Sequence, residues 1–185
     1  MSALIAEALV DELCAGGRRA YMLLDAARHE QIYPSLLRSD CRWLCLYRGD
    51  AAVRMAEVAP YLVEVTPRSA YARWVVDRGW GESWAVFVNA PVDIEKLRTH
   101  FRRFVMVQMP DGKTVYFRFY DPRVLRVYLP TCNAAEIETV FGPVERFLME
   151  SIDGTEAIAF ARAGGTLIEC RIGTLLGREE EGGGD

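Results

Sequence analysis

Histidine is scarce in this chain: its 185 residues hold two, His29 and His100. Cysteine is present but scattered, as Cys14, Cys41, Cys45, Cys132 and Cys170. With so few ligands, no Cys/His quartet at zinc-like spacing can be drawn, and an odd cysteine count fits a reducing compartment better than a disulfide framework. No metal and no cofactor is expected. No apolar run approaches the roughly 18 residues that a membrane-spanning helix needs. Residues 1–17 lack the basic leading region of a signal peptide and carry Glu7, Asp11 and Glu12. A cytoplasmic location without membrane contact is the expectation. Basic excess is missing too: 22 Lys and Arg stand against 26 Asp and Glu, for a net charge of −4 and a pI near 5.3. That argues against a surface built to track nucleic-acid phosphates, and the local cluster of Arg98, Arg102 and Arg103 reads as a solvated helix face. Phosphate loops are absent as well. Gly16-Gly17 is not followed by Lys-Ser/Thr, Arg78-Gly79-Trp80-Gly81 lacks the dinucleotide fingerprint, and no serine sits in a Gly-x-Ser-x-Gly elbow.

What is present is an ordinary folded composition, 51% hydrophobic and 26% charged, in a chain long enough to bury a core without disulfides. Residues 3–13 carry apolar side chains at helical spacing, and Gly16-Gly17 ends that helix. Tyr21–Ala26 is a short apolar run ending near an acid, as in a buried strand leaving a sheet. Cys41–Tyr47, followed by a Gly49-Asp50 turn, Ala59–Val65 and Trp84–Val88 read as further strands, and Ser69–Arg78 as a helix. Asp93 caps a helix whose inner stripe is Ile94, Leu97, Phe101 and Phe104. Val105–Met109 and Thr114–Tyr120 read as a hairpin turning at Pro110-Asp111-Gly112-Lys113. Asn133 with Glu136 resembles a capping box, and Gly142-Pro143 ends the helix it begins. Gly164-Gly165 sits between the runs 157–163 and 166–172 as a two-residue hairpin turn. The fold class expected is α/β in the α+β mixed sense: a mixed β-sheet with covering helices and a C-terminal β-hairpin. Residues 1–150 would form the main domain, 151–176 a hairpin packed on it, and 177–185 a disordered acidic tail.

Candidates for chemistry are few. Asp25 and His29 would face each other if their segment were helical, but no nucleophile accompanies them. His29 reads as a surface or capping residue, and His100 as packed and hydrogen-bonded. Glu82, Asp93 and Asp121 are weak candidate acids, the latter two already explained as helix caps. The densest feature is Tyr116-Phe117-Arg118-Phe119-Tyr120-Asp121-Pro122-Arg123-Val124-Leu125. Asp121 and Pro122 are the structural motif that starts a helix, one as cap and one in the first turn. Along the strand Thr114–Tyr120, Tyr116, Arg118 and Tyr120 share one face while Val115, Phe117 and Phe119 take the other. Arg118 and Arg123 suit bidentate binding of a carboxylate or phosphate, and equally suit pairing with an internal acid. Aromatics and arginines dominate protein–protein hot spots.

At these residues the chain resembles the Tap/Tec group of type VI secretion effector chaperones or adaptors, formerly a domain of unknown function. The matching pieces are Tyr21–Arg28, Ala59–Val63, Trp80-Gly81, Leu97–Phe104, Pro110-Asp111-Gly112, Phe117–Leu125 and Phe141-Gly142-Pro143, in family order over about 21–147. The pattern departs after Ser151, where many relatives carry a longer helical part and this chain has a short hairpin. The resemblance implies a non-enzymatic cytoplasmic adaptor. It would bind a cognate toxic effector, through an N-terminal or PAAR-containing region, and help load it on the VgrG spike or a PAAR tip. Its effector-binding residues would be Tyr116, Arg118, Tyr120 and Arg123. The competing readings are a generic peptide-binding module outside secretion, and a small hydrolase using Asp25, His29 or Asp121.

Overall fold

The computed structural model describes residues 3–108 and 112–172. Pro110-Asp111 of the expected hairpin turn and the expected 177–185 tail lie outside the described residues. In chain order the elements are α1 (Ala3–Cys14), β1 (Ala20–Asp25), α2 (Ile32–Leu37), β2 (Trp43–Cys45), α3 (Gly49–Arg54), β3 (Pro60–Val65), α4 (Ala70–Gly79) and β4 (Ala85–Asn89). Then come α5 (Ile94–Phe101), β5 (Met106–Gln108), β6 (Thr114–Tyr116), α6 (Pro122–Tyr128), α7 (Ala134–Phe141), β7 (Arg146–Glu150), β8 (Ala157–Ala163) and β9 (Thr166–Ile172).

Seven strands form one sheet in the order β2-β3-β1-β4-β7-β8-β9, and β5-β6 is a separate two-stranded ribbon. This is the α+β mixture of helices and sheet that the sequence implies, and every pairing is antiparallel. β1 lies between β3 and β4, and all six of its residues are buried. A continuous apolar run suits that place, because both faces of a central strand are covered. On one face, Phe147 of β7 packs against Phe101 of α5 and Phe141 of α7. Its neighbour Leu148 points the other way, opposite Phe87, which stacks against Trp80 just beyond α4. The core therefore has two layers, one on each side of the sheet.

Helix ends follow their local chemistry. Asp93 accepts from Lys96 N at 2.8 Å, and Asn133 and Glu136 form a reciprocal capping box. Gly164 and Gly165 both take positive φ, the geometry of the tight turn between β8 and β9.

Three local expectations are corrected. Gly49-Asp50 does not make a turn but opens α3. The strand expected over Cys41–Tyr47 is only Trp43–Cys45. β6 stops at Tyr116, four residues earlier than expected, because its partner runs out. Met106 is the last residue paired with it, and Val105 leads back into α5, taking only Phe117 N at 3.1 Å. Residues 117–120 then approach α6 as irregular chain and turn.

Candidate functional site

The site is built where β1 ends. Asp25 is 1% exposed. Its carboxylate accepts from Ala27 N at 3.1 Å and forms an ion pair with Arg118. A second buried acid, Asp121 at 2% exposed, caps α6. It accepts from Arg123 N and Nε, both at 3.0 Å, and from an Arg123 terminal nitrogen at 2.7 Å. Arg118 also comes within 3.8 Å of Asp121. Two buried carboxylates are thus matched by two arginines whose outer faces reach solvent. Burial alone would raise the Asp121 pKa, but the hydrogen bonds from the Arg123 side chain and backbone overcome it and hold the acid below its ordinary range. Burial works against charge on Arg118, and the bond and field of Asp25 more than offset it, raising its pKa.

An aromatic ridge adjoins this cluster. The Arg118 guanidinium lies 6.0 Å from the Tyr120 ring centroid. Burial, then Tyr47, raises the Tyr120 pKa, and Tyr47 in turn packs its ring 5.6 Å from that of Tyr116. Tyr116 is 49% exposed, beside Met106 at 54% and Val115 at 39%. The structure so brings Tyr116, Arg118, Tyr120 and Arg123 into one neighbourhood, but not as a strand face. Tyr120 is corrected from a surface position to a buried one, 3% exposed, because the ladder ends at Tyr116 and the turn at 119–120 folds both aromatic rings inward. Tyr116, Arg118 and Arg123 remain at the surface. Asp121 and Pro122 stand at the start of α6 as cap and first-turn proline.

Sequence reasoning missed two contributors. In sequence Asp25 stands four residues from His29, yet its partner is Arg118, 93 residues away. The available signal was the acid itself: a carboxylate ending a wholly apolar strand needs a cation. Tyr47 gave no such signal. A groove of about 380 Å³ opens between the residues after β2 and the start of β5, lined by Leu46, Tyr47, Arg48, Arg102, Met106 and Tyr116 among others. Arg98 and Arg102, expected on a solvated helix face, instead bond to backbone carbonyls of Cys45 and Leu46. Of the three candidate hydrolase residues, Asp25 and Asp121 meet at Arg118, while His29 makes its contacts elsewhere. Residues 26–28 form a 3-10 turn, and His29 beyond it lies 5.2 Å from the Trp84 ring, with Nδ1 accepting from Gln31 N. Among the described residues no group of three or more His, Cys, Asp or Glu is placed to hold a metal, and no helix is long and apolar enough to cross a membrane.

A family described as a domain of unknown function, DUF4123, matches residues 20–139. The chain is also similar to "Accessory protein VasW" of Vibrio cholerae serotype O1 (strain ATCC 39315 / El Tor Inaba N16961). The two are 29% identical over 116 residues, which is 61% of this chain and 38% of that protein. The shared region is well under half of the relative's length. No solved structure matches. The family match spans β1 to α7, and so takes in the buried acids, both arginines and the groove; the chain belongs to the DUF4123 family, the type VI secretion effector-adaptor family whose motifs its sequence resembles.

Proposed function

We propose that this protein is a cytoplasmic adaptor of type VI secretion that holds a toxic effector and presents it for loading on the VgrG spike or a PAAR tip. Its work is binding, without catalysis. The observation that carries this reading is the exposed apolar ledge of the cross-strand pair Met106 and Tyr116 beside the half-exposed Arg118 and Arg123, inside the family-matched region. Large side chains left half-exposed next to arginines are suited to a partner interface. The ion pairs with Asp25 and Asp121 hold the two arginines in place, which lowers the ordering cost of binding.

The test is co-purification with the effector encoded beside the spike gene, with and without the spike protein. Tyr116→Ser combined with Met106→Ser removes the apolar ledge at exposed positions, so stability should change by less than about 1 kcal/mol. Captured effector should fall about tenfold or more, as expected for a hot-spot pair. Undiminished capture by the double variant would remove this ledge from the interface. Failure of the wild-type chain to retain the effector would remove the adaptor role.

A further inference from the structure

The groove beside Tyr116 carries positive charge with no ion-pair partner among the described residues. Four arginines, Arg48, Arg98, Arg102 and Arg103, gather around residues 45–48. Arg98 Nε donates to Cys45 O at 3.0 Å. Arg102 donates to three consecutive carbonyls, Cys45 O at 3.1 Å, Leu46 O at 3.1 Å and Tyr47 O at 2.6 Å. Arg48 and Arg103 line the same groove. Carbonyl contacts satisfy N–H groups but cancel no charge. Elsewhere Arg42, Arg118, Arg123, Arg146 and Arg162 each meet a carboxylate. Among the described residues, none forms an ion pair with the three arginines that line the groove or with Arg98 behind them. Arg102 registers this: burial, and then the fields of Arg98 and Arg48, lower its pKa.

The rest of the lining is apolar. Leu46 and Val105 form the floor, and the half-exposed Met106 and Tyr116 form one wall. A ligand for this groove must therefore be both anionic and apolar. The chain as a whole is acidic, at −4, so a long polyanion is repelled by the molecule around the groove, while a short acidic stretch is steered into it. At about 380 Å³ the space accepts a few side chains rather than a large cofactor.

We infer that this groove receives an acidic, apolar peptide segment of a protein partner. Its carboxylates meet Arg48, Arg102 and Arg103, and its apolar side chains meet Met106 and Tyr116. The inference rests on the adaptor reading and names the chemistry of the segment that such a partner would offer.

The probe is a fluorescein-labelled peptide of roughly twelve residues alternating Glu and Leu, compared with Gln/Leu and Lys/Leu versions and with an oligothymidylate of similar length. Anisotropy should show the Glu/Leu peptide binding about tenfold tighter than the Gln/Leu one, and weakening about fivefold or more as salt rises from about 50 to about 300 mM. Arg48→Glu with Arg103→Glu changes two exposed residues that hold no backbone carbonyl in the groove. This variant should lose about tenfold or more in affinity with its thermal unfolding unchanged. Equal binding of the Gln/Leu peptide, tighter binding of the oligothymidylate, or full affinity in the variant would each overturn the inference. Effector capture separates it from the adaptor role. If the variant captures the effector normally, the groove is excluded and the adaptor role stands. If the acidic peptide binds but the wild-type chain captures no effector, the adaptor role falls and the groove stands.

Discussion

Asp25 sets the problem that Arg118 solves. An acid 1% exposed at the end of an apolar strand loses its hydration and has to be matched by a cation. From sequence, Arg118 fits internal pairing and external recognition equally well; the structure supplies the internal acid and leaves the guanidinium half-exposed as well. Arg118→Ala is expected to destabilise the fold by about 1–3 kcal/mol in urea unfolding, mostly because Asp25 stays buried without its partner. Arg118→Lys should recover part of this, since one point charge can reach Asp25 but cannot also span to Asp121. A loss below about 0.5 kcal/mol in Arg118→Ala would show that Asp25 is neutralised by other means. His100 poses the opposite case, a base kept neutral. Its ring packs between Phe101 and Phe104, and Nε2 donates to Val140 O at 2.9 Å. Burial lowers its pKa; the Val140 bond opposes this without overcoming it, and Arg103 adds to the lowering. The folded pKa thus lies below the unfolded value of about 6.5, and the unfolded chain takes up the proton first as pH falls. The stability contribution is full above about pH 6.5 and is lost as pH drops through the folded pKa. The melting temperature should be lower at about pH 5.5 than at about pH 7.5, with a smaller difference in His100→Gln. Equal differences in the two proteins would show that His100 is not the titrating group.

Elements whose ends carry their own chemistry were legible from sequence. The Asp93 cap, the Asn133–Glu136 box, the Asp121-Pro122 start of α6 and the Gly164-Gly165 turn each specify structure within a few residues. Elements that depend on a distant partner were not. β6 ends where Met106 ceases to face it, and β7, Arg146–Glu150, exists because β4 and β8 flank it. Neither fact has a local signature. α2 was hidden for another reason: Pro34 stands within its six residues, and proline usually reads as a break. Gly142 joins the two kinds of evidence. It ends α7, as the Gly-Pro pair suggests, with φ 48° and ψ −113°, a region open to glycine. It is also a packing position, since a Cβ there would lie 2.4 Å from His100 Cε1. Gly142→Ala should therefore lower the urea midpoint by the equivalent of about 2 kcal/mol or more, with an unchanged m-value. A near-neutral effect would mean that the His100 ring can move aside and that the turn can change its backbone conformation.

At the scale of the molecule, the groove and the C-terminal hairpin lie at opposite edges of one sheet. The groove adjoins β2 at one edge, and β9 is the other edge. The sequence divides the chain near residue 150, and the family match ends earlier still, at 139. The sheet crosses both points. β7 pairs with β4 on one side and β8 on the other, setting Phe147 opposite Phe160 and Met149 opposite Ile158. Phe147, Met149, Ala157 and Phe160 are buried, as is Ile158. We therefore propose that residues 151–172 are part of the folding unit rather than an addition to it. Burying Ile158 and Phe160 contributes about 1.5–3 kcal/mol each. With the alanines between them and the cover they give to β7, the total reaches the same order as the roughly 5–15 kcal/mol that stabilises a whole domain. Ending the chain at Glu150 would also leave β7 as a bare apolar edge, a template for aggregation. A chain of residues 1–150 is thus expected to show no cooperative melting transition and to bind a hydrophobic dye at room temperature. If it melted cooperatively within a few degrees of the full chain, the unit would close at β7, and the hairpin would be free to serve a partner instead of the core.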